Sequence, residues 1–373
     1  MRILQYNLTT TTKRGGVETF VWELSYALAQ RDHQVTILGG ADPQTGDQMM
    51  GRFRSGMRIV RVPFVDRTSF QRIPPLKRRY AEVKLMERLS MIPSALPLMR
   101  GYDIVHIHKP YDMVLAPFWK ALGSKVVLHS HGEDFYLGDK LFVRWIDRIV
   151  SCSQFNADYT GERYKRKSTV VYNGFDKDHF APRQPDLALR DSLLPRDHKA
   201  LLCVARLIPW KGIDDIIAAL AKLPANTTLL VAGSGHYRPN LEQQARALGL
   251  AQRVRFLGDI PNRELPRYFA LADLVVAGSY ASETFGMVLC EAMGCGRPVV
   301  ATRFGGFPEV VEDGVTGLLV PPRDPDAMAA AIATLLEDPE RAARYGAAGR
   351  ERVVRMFTWE AVTDRVEAVY NSM

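Results

Sequence analysis

Arg206 and Lys211 lie five residues apart in Arg206-Leu207-Ile208-Pro209-Trp210-Lys211-Gly212, just after the apolar run Ala200-Leu201-Leu202-Cys203-Val204-Ala205. A strand ending in two cations and a glycine suits a diphosphate. Arginine offers paired donors to phosphate oxygens and lysine a point charge. The competing reading is a solvated loop. Its place at the carboxyl end of a strand, where α/β sheets bind ligands, favours the phosphate.

Two carboxylates follow in Glu283-Thr284-Phe285-Gly286-Met287-Val288-Leu289-Cys290-Glu291. The segment becomes helical near Gly286, and its apolar residues predict burial. A carboxylate inside a buried helix costs free energy unless partnered. Glu291 therefore requires partners, and sugar hydroxyls are suitable. Glu283 precedes the helix, near its positive end. A fully helical interval would rise about 12 Å, comparable to a sugar nucleotide from hexose to ribose. The amides around Thr284, Phe285, Gly286 and Met287 would then hold the diphosphate. In the plainer alternative, Glu283 is a helix-end charge and Glu291 part of a core ion pair. A glycosidase also uses two carboxylates, but it gives no reason for the surrounding cations and glycines.

Three further groups sit at strand ends. Gly15-Gly16-Val17-Glu18 joins a strand to a helix and fits either an anion-binding turn or a turn needing positive φ. It lacks the GxGxxG spacing, which disfavours a nicotinamide dehydrogenase. His129 and His131 end another strand; a metal pair would need a third ligand, and none is evident. Gly305-Gly306-Phe307-Pro308-Glu309 follows the run Pro298–Ala301.

These groups require a scaffold of alternating strands and helices. Apolar runs at 3–6, 35–38, 104–107, 126–129 and 149–152 read as strands buried on both faces. The alternation restarts at 200–205 and continues at 228–232, 254–257, 274–277 and 298–301. Helices are expected at 17–30, 214–222, 241–247 and 339–354. The fold class is therefore α/β, with two tandem Rossmann-like doubly wound parallel sheets facing a cleft. The first domain spans 1–181, completed by 357–373, and the second spans 182–356. Asn173-Gly174-Phe175-Asp176 and the turn-rich 182–195 segment read as the linker. A final amphipathic helix places Trp359, Val362, Val366 and Val369 on one face, positioned to cross back to the first domain.

Composition narrows the classes. The 373 residues are 47% hydrophobic and 24% charged, as in a globular protein. Cys152, Cys203, Cys290 and Cys295 form no CxxC pair, so buried thiols in a reducing cytoplasm are expected. No apolar leader or membrane-length run is present. A net charge of +8 fits nucleic acid, anionic lipid or phosphorylated ligands. No nucleic-acid-binding module is recognisable, so no nucleic-acid partner is expected.

Taken in order, the motifs resemble the family-4 glycosyltransferases of the GT-B fold. The resemblance runs from Gly15-Gly16 to the Trp359 helix. Its most specific part is the ordered set Arg206-Leu207, Lys211-Gly212, Glu283–Glu291, Gly305–Glu309 and Gly314-x-x-Gly317-Leu318-Leu319-Val320. The resemblance implies a hexose transferred from a nucleotide diphosphate sugar with retention of configuration. Metal and cofactor are not required, the nucleotide sugar being a substrate. UDP-sugar is the default donor and GDP-mannose remains open. Arg206 and Lys211 would neutralise the leaving diphosphate, Glu291 would bind ribose, and Glu283 would lie near the hexose. His131 resembles the active-site histidine, followed by Gly132 and Asp134. Gly15, Gly16, Gly306 and Glu309 would contact phosphate, acceptor or hexose. One departure is Ala205, where the family commonly has glycine; some crowding is expected there. A sugar-nucleotide epimerase on a similar fold is the alternative.

The acceptor is expected to be a glycan or a lipid-linked sugar in cell-envelope polysaccharide or glycolipid synthesis. The 67–100 stretch carries Arg72, Lys77, Arg78, Arg79, Lys84 and Arg88 among apolar residues. It fits either peripheral contact with an anionic membrane, on the cytoplasmic face, or a solvated loop and helix.

Overall fold

The computed structural model describes residues 1–12, 15–41 and 56–373. The chain forms two compact units, Met1–Gly174 with Trp359–Met373, and Phe175–Thr358. This division falls earlier than the 181/182 joint read from the sequence. Phe175 and Phe180 explain the shift. A side chain at Gly294 would come within 2.6 Å of the Phe175 ring and 2.9 Å of the Phe180 carbonyl. Phe175 N–H also donates to Phe357 O at 2.9 Å. The turn-rich segment thus packs as part of the second unit, and Leu187–Leu193 within it is helical.

In the first unit the strands are β1 (Arg2–Tyr6), β2 (Gln34–Gly40), β3 (Met57–Val62), β4 (Ile104–Ile107), β5 (Lys125–Ser130), β6 (Arg148–Ser151) and β7 (Ser168–Val170). They form one parallel sheet in the order β3-β2-β1-β4-β5-β6-β7. Alternation within strands divides the core. Leu4, Val105, Val126 and Leu128 pack on one face with Trp119 and Met91. Ile3, Ile104, Val127 and Val150 pack on the other with Phe20, Leu24 and Leu28 of the Gly16–Ala29 helix. That second face also takes Val362, Val366, Val369 and Tyr370. The C-terminal helix Trp359–Asn371 therefore completes the first unit, as its apolar stripe implies.

The second unit contains β8 (Lys199–Val204), β9 (Thr227–Ala232), β10 (Val254–Gly258), β11 (Leu274–Ala277), β12 (Val299–Thr302) and β13 (Gly317–Val320), parallel in the order β10-β9-β8-β11-β12-β13. Strands β3, β7 and β13 were not anticipated. β3 interrupts its apolar residues with Arg58 and Arg61 because it is an edge strand, and β7 has only three residues.

Each sheet reverses its winding beside its first strand, between β1 and β4 and between β8 and β11. Such switch points open a crevice at the carboxyl ends of the strands. In the second unit those ends carry residues 205–212 and 278–286. In the first they carry Asn7 onward and His108.

The basic 67–100 stretch is more structured than the sequence suggests. Arg88 is 1% exposed on the Tyr80–Ala95 helix, pairs with Glu87, and lies 3.4 Å from Asp112. Burial pushes Asp112 up to about 6 against the pull of that guanidinium. Lys84 pairs with Asp134. These two cations are thus internal structure. Arg72, Lys77, Arg78 and Arg79 stay exposed. Among the described residues no helix is long and apolar enough to cross a membrane. The four cysteines are buried thiols.

Candidate functional site

The second-unit site is assembled by backbone contacts that only glycine permits. At Gly212 (φ +63°) a Cβ would lie 2.0 Å from Gly278 O. The loops after β8 and β11 therefore run side by side, and Tyr280 N–H donates to Trp210 O at 3.0 Å. This brings Lys211 Nζ to 2.6 Å from Glu283 Oε2, with both side chains largely shielded. Ser279 Oγ donates to the same oxygen at 3.3 Å. Gly305 (φ +59°) closes the third side: a Cβ there would lie 1.8 Å from Glu283 O. Gly306 N–H donates to that carbonyl at 3.1 Å.

Gly286 (φ +106°) caps the Met287–Gly294 helix, and its missing side chain leaves room for the Phe307 ring. Phe285 is buried against Phe357, which leaves its backbone beside Gly306. Thr284 and Met287 are half-buried on either side of this turn. Since the helix begins at Met287, only the interval to Glu291 is helical. It rises about 6 Å, not the span of a fully helical interval. The rest of Glu283–Glu291 is a turn.

Glu291 is held by burial and by a hydrogen bond with Asn262; burial dominates and pushes its carboxyl up to about 8. No cation pairs with it among the described residues, so the core ion-pair alternative does not describe this carboxylate. Arg206 is exposed, with no side-chain partner among the described residues. Glu309 sits half-buried in the short helix Phe307–Val310, its carbonyl accepting from Arg352 Nη2 at 2.9 Å.

The backbone of Ala205 runs close against Gly233. A Cβ on Gly233 would lie 2.0 Å from Ala205 O. Gly235 approaches Leu207 O in the same way. The Gly233-Ser234-Gly235 turn after β9 was not singled out in the sequence, although its paired glycines at a strand end were a readable signal.

The first-unit site is dominated by imidazoles. His106 and His108 alternate at the end of β4; His129 and His131 do so at the end of β5. A period of two puts all four on one sheet face. Ring centroids lie 4.6 Å apart for His106–His108, 5.3 Å for His106–His129 and 4.2 Å for His129–His131. Phe20 meets His129 and His131 edge-on. Burial drives all four below the ordinary histidine range, with His106 and His131 at about 3. Ring nitrogens of His106, His108 and His129 lie within 4.8 Å of one another. The rings nonetheless stack nearly parallel, so their in-plane lone pairs run alongside instead of converging as metal ligation requires. The His106/His108 pair escaped the sequence reading, although it repeats the spacing of His129/His131.

Gly15 and Gly16 begin the Gly16–Ala29 helix. Glu18 folds back over this turn: a Cβ on Gly15 would lie 2.4 Å from Glu18 Oε2. Burial works against that charge, yet Lys109 and Thr9 hold the carboxyl below its usual range. Lys109 Nζ reaches Glu18 Oε1 at 3.0 Å and Thr9 Oγ1 at 2.7 Å. A carboxylate thus already occupies the space beside this turn. Lys109 and Glu18 were not identified from the sequence, because neither stands in a recognisable spacing.

A doubly wound unit with cations and carboxylates at its switch point defines a nucleotide-handling α/β protein. Comparison with known proteins specifies which. Residues 14–179 match the family described as Glycosyltransferase Family 4, and 186–352 match Glycosyl transferases group 1. The chain is 30% identical, over 93% of its length and 92% of the relative's, to a GDP-mannose-dependent alpha-(1-6)-phosphatidylinositol monomannoside mannosyltransferase of Mycolicibacterium smegmatis. It is also 30% identical, over 95% of its length and 91% of the relative's, to a glycogen synthase of Mycobacterium tuberculosis. Among solved structures, Anabaena HepE in complex with UDP superposes with a TM-score of 0.82 at 25% identity, with 100% of both chains covered. The chain belongs to the family-4 glycosyltransferases of the GT-B fold.

The histidine cluster makes stability depend on pH. Each folded-state pKa lies below the unfolded value near 6.5, so the unfolded chain binds more protons as the medium acidifies. The contribution is complete above about pH 6.5 and declines towards about pH 3, by up to about 1.4 kcal/mol per pH unit per histidine. Urea unfolding should show a steep loss between pH 6.5 and 5. A flat stability profile across that window would contradict a neutral buried cluster.

Proposed function

We propose that the chain transfers a hexose from a nucleoside diphosphate sugar to a glycan or lipid-linked acceptor, with retention of configuration and without a metal ion. The observation that carries this reading is Lys211 fixed against Glu283 in the same loop as an exposed Arg206, all at the β8/β11 switch point. The donor class is a UDP- or GDP-linked hexose, in keeping with the UDP bound by HepE and the GDP-mannose dependence of the mannosyltransferase.

Cleavage of the donor leaves negative charge on the departing diphosphate. Arg206 and Lys211 stabilise that charge as it develops, with the amides of Thr284 to Met287 beside them. Glu283, already oriented by Lys211 and Ser279, accepts from the hexose hydroxyls. Glu291 binds the ribose diol, whose hydroxyls add to the Asn262 hydrogen bond at its buried carboxyl. Gly306 and Glu309 border the hexose, and Gly15, Gly16 and His131 act from the first unit. The acceptor lies on the first unit. Its exposed Arg72, Lys77, Arg78 and Arg79 accompany exposed Ile73 and Tyr80, a combination suited to peripheral contact with an anionic membrane surface on the cytoplasmic face. Cell-envelope polysaccharide or glycolipid synthesis is the setting this surface fits.

Arg206→Ala and Lys211→Ala should each lower turnover by on the order of 100-fold, measured as nucleoside diphosphate released in the presence of acceptor. Near-normal turnover in both variants would remove the diphosphate assignment. Turnover should also persist in excess EDTA. Activity lost to the chelator and restored by a divalent ion would overturn the metal-free reading.

A further inference from the structure

Leu137 stands almost wholly in solvent, 99% exposed, and Leu141 is 64% exposed. Single surface leucines are ordinary, but these two stand on a segment that is pinned on both sides. Before Leu137, the buried Tyr136 ring stacks on Tyr111 at 4.9 Å. After it, the fully buried Asp139 accepts from Arg163 Nε at 2.8 Å, from Arg163 Nη2 at 2.7 Å and from Tyr164 Oη at 3.0 Å. Arg163 Nη2 also donates to Tyr136 O at 3.0 Å. Gly138, at φ +99°, makes the turn between them. Residues 136 and 139 both face inward, so the backbone between them carries Leu137 outward. Beyond Leu141, Val143 is buried, and Arg166 Nη1 donates to Val143 O at 2.7 Å and to Ile146 O at 2.8 Å.

Cations border these leucines. Lys140 and Arg144 are exposed, and the Arg144 guanidinium lies 4.0 Å from the centre of the Trp145 ring. Most carboxylates of the segment are occupied: Asp134 pairs with Lys84, Asp139 with Arg163 and Asp147 with Lys120. Glu133 is exposed. The segment also adjoins the basic stretch. Lys84 Nζ, paired with Asp134, lies 4.6 Å from the Tyr80 ring and 5.0 Å from the Tyr111 ring. One ammonium thus joins the exposed run Lys77-Arg78-Arg79-Tyr80 to the residues that lead into Leu137.

We infer that Leu137 and Leu141 form an apolar wedge that enters the headgroup region of an anionic membrane, with Lys140, Arg144 and the adjoining 72–79 cations on the lipid phosphates. The inference rests on the membrane contact proposed above and adds the element that penetrates. Acyl chains match the leucines and headgroup phosphates match the cations. An acidic surface without acyl chains satisfies only the cations, and an apolar protein face only the leucines. Because the segment is already held in place, its insertion orders little that was free before.

The test mixes the intact chain with phosphatidylglycerol–phosphatidylcholine vesicles, and separately with phosphatidylcholine vesicles, and reads the bound fraction by flotation. Leu137→Ser combined with Leu141→Ser should weaken binding to the anionic vesicles about 10-fold. Leu187→Ser, at a 68% exposed leucine of the second unit, should leave it unchanged. Both wedge leucines are exposed, so the double variant should keep the wild-type urea midpoint. A second readout needs no loss of function. The native cysteines are buried, so Leu137→Cys takes a nitrobenzoxadiazole label selectively. Its emission should move to the blue and brighten on anionic vesicles, while the same label at Leu187→Cys should not change. Wild-type binding together with undiminished binding of the double variant and an unshifted label at position 137 would overturn the wedge and leave the membrane contact standing. If the wild type binds neither vesicle, the membrane contact fails and the wedge with it. If the wild type self-associates without vesicles and the double variant is monomeric, the leucines cover a second copy of the chain, which also overturns the inference.

Discussion

Lys211 reaches Glu283 only because two loops run backbone against backbone. A side chain at Gly212 would strike Gly278 O, and one at Gly305 would strike Glu283 O. Such contacts cannot be relieved by a rotamer change, as could a clash with a flexible side chain. The cation, the carboxylate and the helix turn at Gly286 therefore hold one arrangement before any ligand arrives. Preorganised charge of this kind stabilises a leaving diphosphate without a reorganisation cost at the moment of reaction. The same device recurs at Gly233 and Gly235 against the 205–207 loop.

Buried charge is handled differently in the two units. In the second, Lys211 and Glu283 neutralise one another, while the Glu291 carboxyl is raised by burial and, among the described residues, is hydrogen-bonded to Asn262 with no cation paired to it. A ligand rich in hydroxyls is the partner that such a group lacks. In the first unit, four imidazoles are kept neutral by burial, and Lys109 further disfavours the charged form of His131 and His108. A neutral imidazole can both donate and accept, whereas an imidazolium can only donate. On the function proposed above, desolvation suits the first unit to hydrogen bonding with an uncharged sugar, and cations suit the second to phosphate.

Much of this was legible in the sequence because strand ends announce themselves. Continuous apolar runs marked the central strands, and the polar residues just beyond them, Arg206, Glu283 and His131, fell where doubly wound sheets bind ligands. The stripe of Val362, Val366 and Val369 predicted where the last helix packs. The edge strand β3 escaped because it buries only part of its surface, so Arg58 and Arg61 broke its apolar pattern, whereas the edge strand β10 was read from its run at 254–257. Long-range pairings escaped for a different reason. Nothing local marks Lys109 as the partner of Glu18, or Tyr370 as the partner of His106, since those contacts exist only once the sheet is assembled. The helix does begin beside Gly286 as expected, but the rise from Glu283 to Glu291 is shorter than a fully helical interval because the residues before Met287 form a turn.

On the function proposed above, the β8/β11 crevice holds a diphosphate. Titration calorimetry of the intact chain at low salt, with UDP against UMP and GDP against GMP, tests it most directly. For whichever base binds, the diphosphate should bind on the order of 10-fold or more tightly than the monophosphate, with an advantage that shrinks as salt screens the cations. Equal affinity for the two would contradict it.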